Sequence, residues 1–148
     1  MKLGKLNWDD LRSVIDKNKG FIRDDVRIKS SIGEDCSVVN FGEYECVLST
    51  DPITGASNNI GRLAVHINAN DIGSSGASIV GFLITILAPP TATLEEIKVI
   101  MEEINEEALG LKAEILGGHT EITDAVNSHL DSLIDYSVFK ILFTNVIA

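Results

Sequence analysis

The chain has 148 residues, of which 45% are apolar and 23% are charged. That length and balance are typical of one compact globular domain and exclude a disordered chain. The formal net charge is −10, with 12 basic residues against 22 acidic ones. Such a charge argues against a nucleic-acid-binding protein, which needs clustered Lys and Arg to neutralise phosphates.

A short helix and a β-hairpin are predicted first. Asn7 is a suitable N-cap, and the apolar residues that follow it share one helical face. Residues 38–50 are typical of two strands joined by a turn at residues 40–43. Asp51 then stands where the second strand gives way to Pro52.

A second helix, starting near Asn59, is predicted from the helical spacing of its apolar residues. It carries the polar sequence Asn68-Ala69-Asn70-Asp71. Gly73, Gly76 and Ala77 along its continuation leave little side-chain bulk, so another backbone can approach closely and tight packing is expected there. The apolar run at residues 81–87 is typical of a buried strand.

The third helix has the strongest signals. Thr93 and Glu96 form a capping-box pattern ahead of an apolar stripe, and Gly110 is expected to end the helix. Its glutamate-rich opposite face is interpreted as a solvated surface. Residues 112–116 are typical of a short strand that runs into Gly117-Gly118. Strands separated by helices predict an α/β or α+β fold.

Five carboxylates stand where predicted strands or helices end, and they belong to Glu34, Asp35, Asp51, Asp71 and Glu121. Mg²⁺ prefers carboxylate oxygens and is commonly completed by water and substrate phosphates. Carboxylates brought together without a cation would repel one another. We therefore predict that this set converges on a magnesium and phosphate site. Taken singly, each aspartate is more often a turn cap or an exposed helix residue, and Glu34 is the weakest candidate because neighbouring strand residues point to opposite faces.

The glycine pair and the histidine after it are further candidates. Gly117-Gly118 leaves backbone N–H groups exposed for a phosphate or carboxylate. For His119, phosphate contact, metal coordination and a purely structural role in a turn all remain open. His66 and His129 are interpreted as structural.

Four segments, taken in order, resemble a known family. They are Gly-Glu-Asp-Cys-Ser, Ser-Thr-Asp-Pro, Gly-Arg-Leu-Ala followed by Asn-Asp-Ile and Ser-Gly-Ala, and Gly-Gly-His-Thr-Glu. Across roughly residues 8–126 they are similar to the N-terminal domain of the aminoimidazole ribonucleotide (AIR) synthase-related, or PurM-like, superfamily. The resemblance implies a mixed β-sheet with helices packed on one face, and pairing of two such sheets across a homodimer.

Mg-ATP binding is also implied by the resemblance. The residues that would hold magnesium are Asp35, Asp51, Asp71 and Glu121. Those that would bind ATP and its phosphates are Asp51, Asn70, Asp71, Gly117, Gly118, His119 and Thr120. Two positions depart from the family's pattern: Glu34 replaces a common Asp, and His119 stands where several members have an acid, which implies one metal ligand fewer.

Among the family's members, the hydrogenase expression/formation protein HypE looks most similar, and thiamine-monophosphate kinase is the alternative. Selenide water dikinase is disfavoured because no Cys or selenocysteine lies near the N-terminal lysines. HypE uses a C-terminal cysteine as acceptor, and this chain ends in Ala148, so that reaction is not expected in cis. A non-catalytic dimeric assembly module is the other class of function that stays open.

We expect residues 1–126 to form the ATP-binding domain and residues 127–148 to form an atypical apolar tail. The family's C-terminal domain is expected to be absent, so the catalytic unit would be incomplete alone. A separate C-terminal domain or a hydrogenase-maturation partner would then be needed. In the tail, residues 127–135 suggest a short helix, and the apolar stretch after it is a replacement strand, a partner-docking segment or the product of a truncated reading frame.

Location and cysteine chemistry are less specific. Cys36 and Cys46 lack the Cys-x-x-Cys spacing of a zinc or redox site, so reduced thiols are expected. The N-terminus lacks the apolar stretch of a secretory signal. No segment has the run of about 18 consecutive apolar residues that a membrane span needs. We expect a cytoplasmic protein.

Overall fold

The computed structural model describes residues 4–54, 56, 58–124, 126 and 137–147, the last range as backbone alone. The elements, in chain order, are α1 Trp8–Ile15, β1 Val26–Ile28, β2 Ser37–Asn40, β3 Tyr44–Leu48, α2 Ile60–Ser74, β4 Ser78–Ala88, α3 Leu94–Gly110, β5 Glu114–Ile122 and β6 Ser137–Ile147. The predicted mixture of helices and strands is confirmed. The three-residue β1 had not been predicted.

The strands form one mixed sheet in the order β1-β2-β3-β6-β4-β5. β4 and β5 are parallel, and the other neighbouring strands are antiparallel. α2 packs against α3 and lies over β4 and β6, while α3 lies over β5. α2 and α3 therefore cover one face of the sheet, as predicted.

Alternation along β4 shows where the core lies. Phe82, Ile84 and Ile86 are buried and pack in the core cluster with residues of α2 and α3. Their neighbours Leu83 and Leu87 are half-buried. Because successive strand residues point to opposite faces, the even-numbered residues face the helices and the odd-numbered ones face the open side of the sheet.

Local signals account for two of the helix starts. The Asn7 side chain accepts hydrogen bonds from the backbone N–H groups of Asp9 and Asp10 at the start of α1. Thr93 and Glu96 form the predicted capping box of α3. Each cap uses atoms within four residues of one another, which is why the sequence alone predicts it.

The start of α2 depends on α3 instead. Asn59 occupies the N-cap position, but its side chain makes no capping hydrogen bond. The backbone N–H of Gly61 donates to the Glu103 carboxylate of α3 at 2.9 Å. A Cβ on Gly61 would lie 2.5 Å from the Ile100 carbonyl oxygen, so the close approach of backbones is here. The prediction of close packing was wrong for Gly73 and Gly76, where an added Cβ would meet no described atom within 4 Å, whereas Ala77 packs against the core cluster.

The acidic face of α3 also contacts α2. Glu107 pairs with Arg62 at 2.7 Å and with the Nε2 atom of His66 at 2.8 Å. Glu106 lies 3.3 Å from the same Arg62 guanidinium. The interpretation of this face as solvated was therefore wrong for Glu103 and Glu107, which are half-buried and join the two helices, whereas Glu106 is exposed.

The last strand occupies the middle of the sheet. β6 pairs antiparallel with β3 on one side and with β4 on the other. Of the possibilities left open for the tail, a strand that completes this sheet matches the backbone pairing. The short helix predicted at residues 127–135 lies outside the described residues. No helix within the described ranges is long and apolar enough to cross a bilayer.

Candidate functional site

A buried serine joins three segments just after β3. Ser49 is 5% exposed, and its hydroxyl donates to the Asp71 carboxylate on α2 at 3.2 Å. The same hydroxyl lies 3.1 Å from the backbone carbonyl oxygen of Asp35, a second acceptor. Ser49 thereby holds the end of β3, the loop before β2 and the second half of α2 together.

A buried asparagine fixes Asp51 on the same helix. Asn68 is fully buried, and its side-chain oxygen accepts the Asp51 backbone N–H at 3.1 Å. Its side-chain nitrogen donates to the Asp51 carbonyl at 3.3 Å and to the Ala64 carbonyl at 3.0 Å. The buried amide therefore has partners for both of its ends, as such groups require. Asn68 and Ser49 are site-building residues that the sequence prediction had not selected.

The aspartates share one electrostatic environment. Partial burial raises the pKa of Asp71, the Ser49 hydrogen bond opposes that rise, and the negative charges of Asp51 and Asp35 add to it. Burial likewise raises the pKa of the Cys36 thiol, and the charges of Asp71, Asp35 and Glu34 add to the rise. Ser49 and Asn68 thus hold the backbones of Asp35 and Asp51 and the carboxylate of Asp71 in one region, and we call Asp35, Asp51 and Asp71 the aspartate cluster.

The aspartate cluster is not a preformed metal cage. Within the part of the chain that the structure describes, no three His, Cys, Asp or Glu side chains are arranged to hold an ion by themselves. Mg²⁺ commonly uses only one or two carboxylates and takes its other ligands from water and phosphates. The chemistry of these oxygen donors fits that open kind of site.

The second candidate segment, residues 117–121, lies within β5 rather than in a loop. The predicted strand over residues 112–116 instead starts at Glu114 and continues to Ile122. A Cβ on Gly118 would lie 1.7 Å from the Ile84 carbonyl oxygen of β4. Close strand pairing therefore explains why position 118 needs a glycine, and the binding of a phosphate by Gly117 and Gly118 stays a prediction.

Residues of this segment divide between the two faces of the sheet. Gly118 and Thr120 pair with Ile84 and Ile86, which face the helices. His119 and Glu121 point to the open face, with the His119 Nε2 atom 3.3 Å from a Glu121 carboxylate oxygen. Both are exposed.

The two candidate regions are well separated in one chain. β5 and β3 are separated by β4 and β6, which places them three strand spacings, or about 14 Å, apart. The structure therefore does not bring Glu121, His119 or the glycine pair to the aspartate cluster. Asn70 lies exposed on α2, next to Asp71 in the sequence.

Comparison with known proteins shows which family the chain matches. The family described as AIR synthase related protein, N-terminal domain, matches residues 33–140. A candidate hydrogenase expression/formation protein of Methanocaldococcus jannaschii is 28% identical over 129 residues, which cover 84% of this chain and 38% of that protein. The family match ends at residue 140 and so includes the start of β6.

Two solved structures share the fold. ThiL, a thiamine monophosphate kinase of Aquifex aeolicus, complexed with AMPPCP and TMP, has a TM-score of 0.64 at 17% identity, over 91% of this chain and 40% of ThiL. A chain of the HypE-HypF complex has a TM-score of 0.58 at 24% identity, over 77% of this chain and 38% of that one. The chain thus spans about two fifths of the length of the proteins it matches.

Proposed function

Because this chain belongs to the AIR synthase related family, as an N-terminal domain, we propose that it is the Mg-ATP-binding and dimerisation domain of an ATP-dependent enzyme. We place it with the HypE-like, hydrogenase-maturation branch. The observation that carries the proposal is the construction of the aspartate cluster, in which buried Ser49 and Asn68 orient Asp71 and Asp51. Buried neutral residues that position acidic residues near one another, against the repulsion of their charges, are typical of a cation site.

Each residue has a distinct role in this proposal. Asp71, Asp51 and Asp35 would hold the metal, and a bound Mg²⁺ supplies positive charge to the phosphates of the nucleotide. Ser49 donates to Asp71 and so presents the other carboxylate oxygen for coordination. Asn68 sets the backbone of Asp51 and does not need to touch the ligand.

A homodimer would place residues 117–121 of one copy near the aspartate cluster of the other. Gly117, Gly118, His119, Thr120 and Glu121 lie on the edge strand β5, whose residues are mostly exposed. Apolar Leu116 and Ile122 on the same strand are 42% and 53% exposed, and exposed apolar edges invite pairing. We propose that β5 of one copy lies near the aspartate cluster of a second copy, with Glu121 as an additional metal ligand.

Support for the HypE-like branch comes from the archaeal relative and from the higher sequence identity to the chain of the HypE-HypF complex, 24%, than to ThiL, 17%. The HypE-HypF complex makes a hydrogenase-maturation protein the kind of partner we propose. A thiamine-monophosphate kinase-like function is the second candidate, favoured by the larger share of this chain that superposes on ThiL. Since the chain spans about two fifths of these proteins, we propose that turnover needs a further domain.

Isothermal titration calorimetry with a non-hydrolysable ATP analogue, with and without Mg²⁺, tests the proposal. Binding should require Mg²⁺ and be lost in Asp71→Asn and Asp51→Asn. Asp24→Asn, which alters an exposed aspartate outside the cluster, is the matched control and should bind like the wild type. Ser49→Ala should bind about tenfold more weakly, as expected when a residue that orients a ligand is removed.

The outcomes separate the candidate functions. A folded wild-type protein that binds no nucleotide would refute the proposal and leave the assembly module. Thiamine monophosphate that binds only after the nucleotide analogue would favour the kinase-like alternative.

A further inference from the structure

A groove lies between α1 and the loop before β2, and we call it the α1 groove. It is lined by Leu11 and Ile15 of the helix and by Glu34 and Asp35 of the loop. Its volume is about 450 Å³, which is within the range of small-molecule sites. Ser49, whose hydroxyl holds the aspartate cluster together, also lines it. The α1 groove therefore opens directly beside the cluster.

The lining of the α1 groove combines apolar and acidic side chains. Leu48 of β3 adds to the apolar lining, and serine and threonine side chains supply hydroxyl groups. Among the described residues that line the groove there is no Lys, Arg or His, so every charge is negative. Such a lining repels an anion that lacks a metal ion, whereas a cation with an apolar body finds a partner for each of its parts.

The Glu34 carboxylate is available to such a cation. Residues 31–34 form a turn in which the Glu34 backbone N–H donates to the Ser31 carbonyl at 3.4 Å. Gly33 has a φ of 89°, a conformation that glycine adopts without strain. In the described part of the chain, no hydrogen bond or ion pair engages the Glu34 carboxylate. The turn thus holds the backbone of Glu34 and leaves its charged group unused within the fold.

The two acids of the groove are held differently. The Asp35 carbonyl accepts the Ser49 hydroxyl at 3.1 Å, which ties Asp35 to the aspartate cluster. In the proposed function Asp35 serves the metal ion, and Glu34 has no part in holding it. Glu34 is therefore the charged group of the α1 groove that a second ligand can use.

We propose that the α1 groove binds the co-substrate of the proposed enzyme, and that this co-substrate carries a positively charged group on an apolar body. Glu34 pairs with the positive charge, and Leu11, Ile15 and Leu48 contact the apolar part. The inference rests on the proposed function for the role of the ligand, because it places the co-substrate beside the metal and nucleotide site.

Three probes of similar shape test the charge preference. Phenethylamine is positively charged at neutral pH, 2-phenylethanol is neutral and 3-phenylpropionate is negatively charged. We would titrate each into the full chain with Mg²⁺ and a non-hydrolysable ATP analogue present, and follow the backbone amide signals by two-dimensional NMR. Phenethylamine should bind about two- to fivefold more tightly than 2-phenylethanol, the range for one partly exposed ion pair. The shifted signals should belong to residues that line the groove, at positions 11–15 and 30–37.

Variants assign the preference to individual side chains. Glu34→Gln keeps the size of the side chain and removes its charge, so phenethylamine should bind this variant no better than 2-phenylethanol does. Glu43→Gln alters an exposed glutamate between β2 and β3 and is the matched control, which should behave like the wild type. Ile15→Ala should weaken the binding of both probes about threefold, because it removes apolar contact, and should keep the preference for the amine.

Several outcomes would overturn the inference. Equal binding of phenethylamine by the wild type and by Glu34→Gln would refute it, and so would shifted signals confined to residues outside the groove. Phenethylamine that added Mg²⁺ displaces would be bound at the aspartate cluster, which would also contradict it.

The failure of the proposed function would look different. A wild type that binds no nucleotide but binds phenethylamine through Glu34 would refute the proposed function, while the cation site would stand. A wild type that binds the nucleotide with Mg²⁺ but shows no preference for the amine would refute the cation site alone.

Discussion

Substituting alanine for Gly118, which adds one methyl group, tests the role of the glycine pair. If Gly118 serves strand pairing, Gly118→Ala should destabilise the fold far more than Gly117→Ala. An added Cβ would lie 1.7 Å from the Ile84 carbonyl oxygen and 2.6 Å from the Ile84 carbonyl carbon. At Gly117 the nearest such atom is the Leu83 Cδ2 at 3.8 Å, an ordinary contact.

The magnitude follows from what must move. Both glycines have positive φ, 142° and 153°, so alanine is strained at either position by about 1–3 kcal/mol. Only at Gly118 is there also a clash with backbone atoms of β4, which no side-chain rotation relieves. Overpacking of this kind costs about 1–3 kcal/mol, so Gly118→Ala should be less stable than Gly117→Ala by about 2 kcal/mol.

Thermal and urea unfolding followed by circular dichroism measure the difference. For a domain of this length, about 2 kcal/mol corresponds to a Tm difference of about 6–8 °C. Gly118→Ala that cannot be purified in folded form, beside well-folded Gly117→Ala, would agree with the prediction. Equal stability of the two variants, with nucleotide binding lost only in Gly118→Ala, would refute the reasoning and return Gly118 to a phosphate-binding role.

Three further predictions concern stability. Gly61→Ala should lower the free energy of unfolding by about 1–3 kcal/mol, because its Cβ would meet the Ile100 carbonyl. Gly73→Ala on the same helix should raise it by about 0.5–1 kcal/mol, and urea unfolding measures both changes. Glu103→Ala removes the hydrogen bond to the Gly61 N–H and should lower the free energy of unfolding by about 1 kcal/mol. Glu102→Ala alters an exposed residue of the same helix and should leave stability unchanged. A similar loss in both variants would contradict the capping role of Glu103. In cation-free buffer, wild-type stability should fall as pH rises through the folded pKa of Asp71, because this pKa lies above its ordinary value and the folded state then holds its proton longer than the unfolded state. Asp71→Asn should therefore have the higher Tm at pH 7 but no advantage at pH 3, and the same difference at both pH values would show that the charge is not the cause.

Helix starts and the hairpin could be predicted because their causes are local. The cap of α1 and the capping box of α3 each involve atoms a few residues apart. The turn at residues 40–43 joins two strands that are adjacent in the sheet. Such signals can be recognised without knowing how distant segments meet.

Long-range pairing explains what could not be predicted. β6 reaches the middle of the sheet by pairing with β3, about a hundred residues earlier in the chain, and its sequence does not specify that partner. The cap of α2 comes from Glu103, 42 residues beyond Gly61. An exposed-looking glutamate and an apolar tail gain their roles only when the segments have packed.

The aspartate cluster lies between these cases. Asp35, Asp51 and Asp71 could be selected from the sequence because acidic residues at element ends fit the chemistry of magnesium. Ser49 and Asn68 were not selected, since their contribution is made across 22 and 17 residues by hydrogen bonds. The carboxylate of Glu121 also fits the chemistry of magnesium, but Glu121 lies on the edge strand β5. β6 and β4 stand between this strand and β3.

The construction of the cluster has a thermodynamic consequence. Burial and neighbouring charges both disfavour the ionised form of Asp71, so in cation-free solution the fold carries a repulsion that the Ser49 hydrogen bond offsets only in part. A cation that binds the folded state alone removes this repulsion and stabilises the protein according to its concentration. The rise in Tm with Mg²⁺ should therefore disappear in Asp71→Asn, which keeps the hydrogen-bond geometry but lacks the charge. If that variant gained as much stability as the wild type, the cation would be bound elsewhere on the acidic surface.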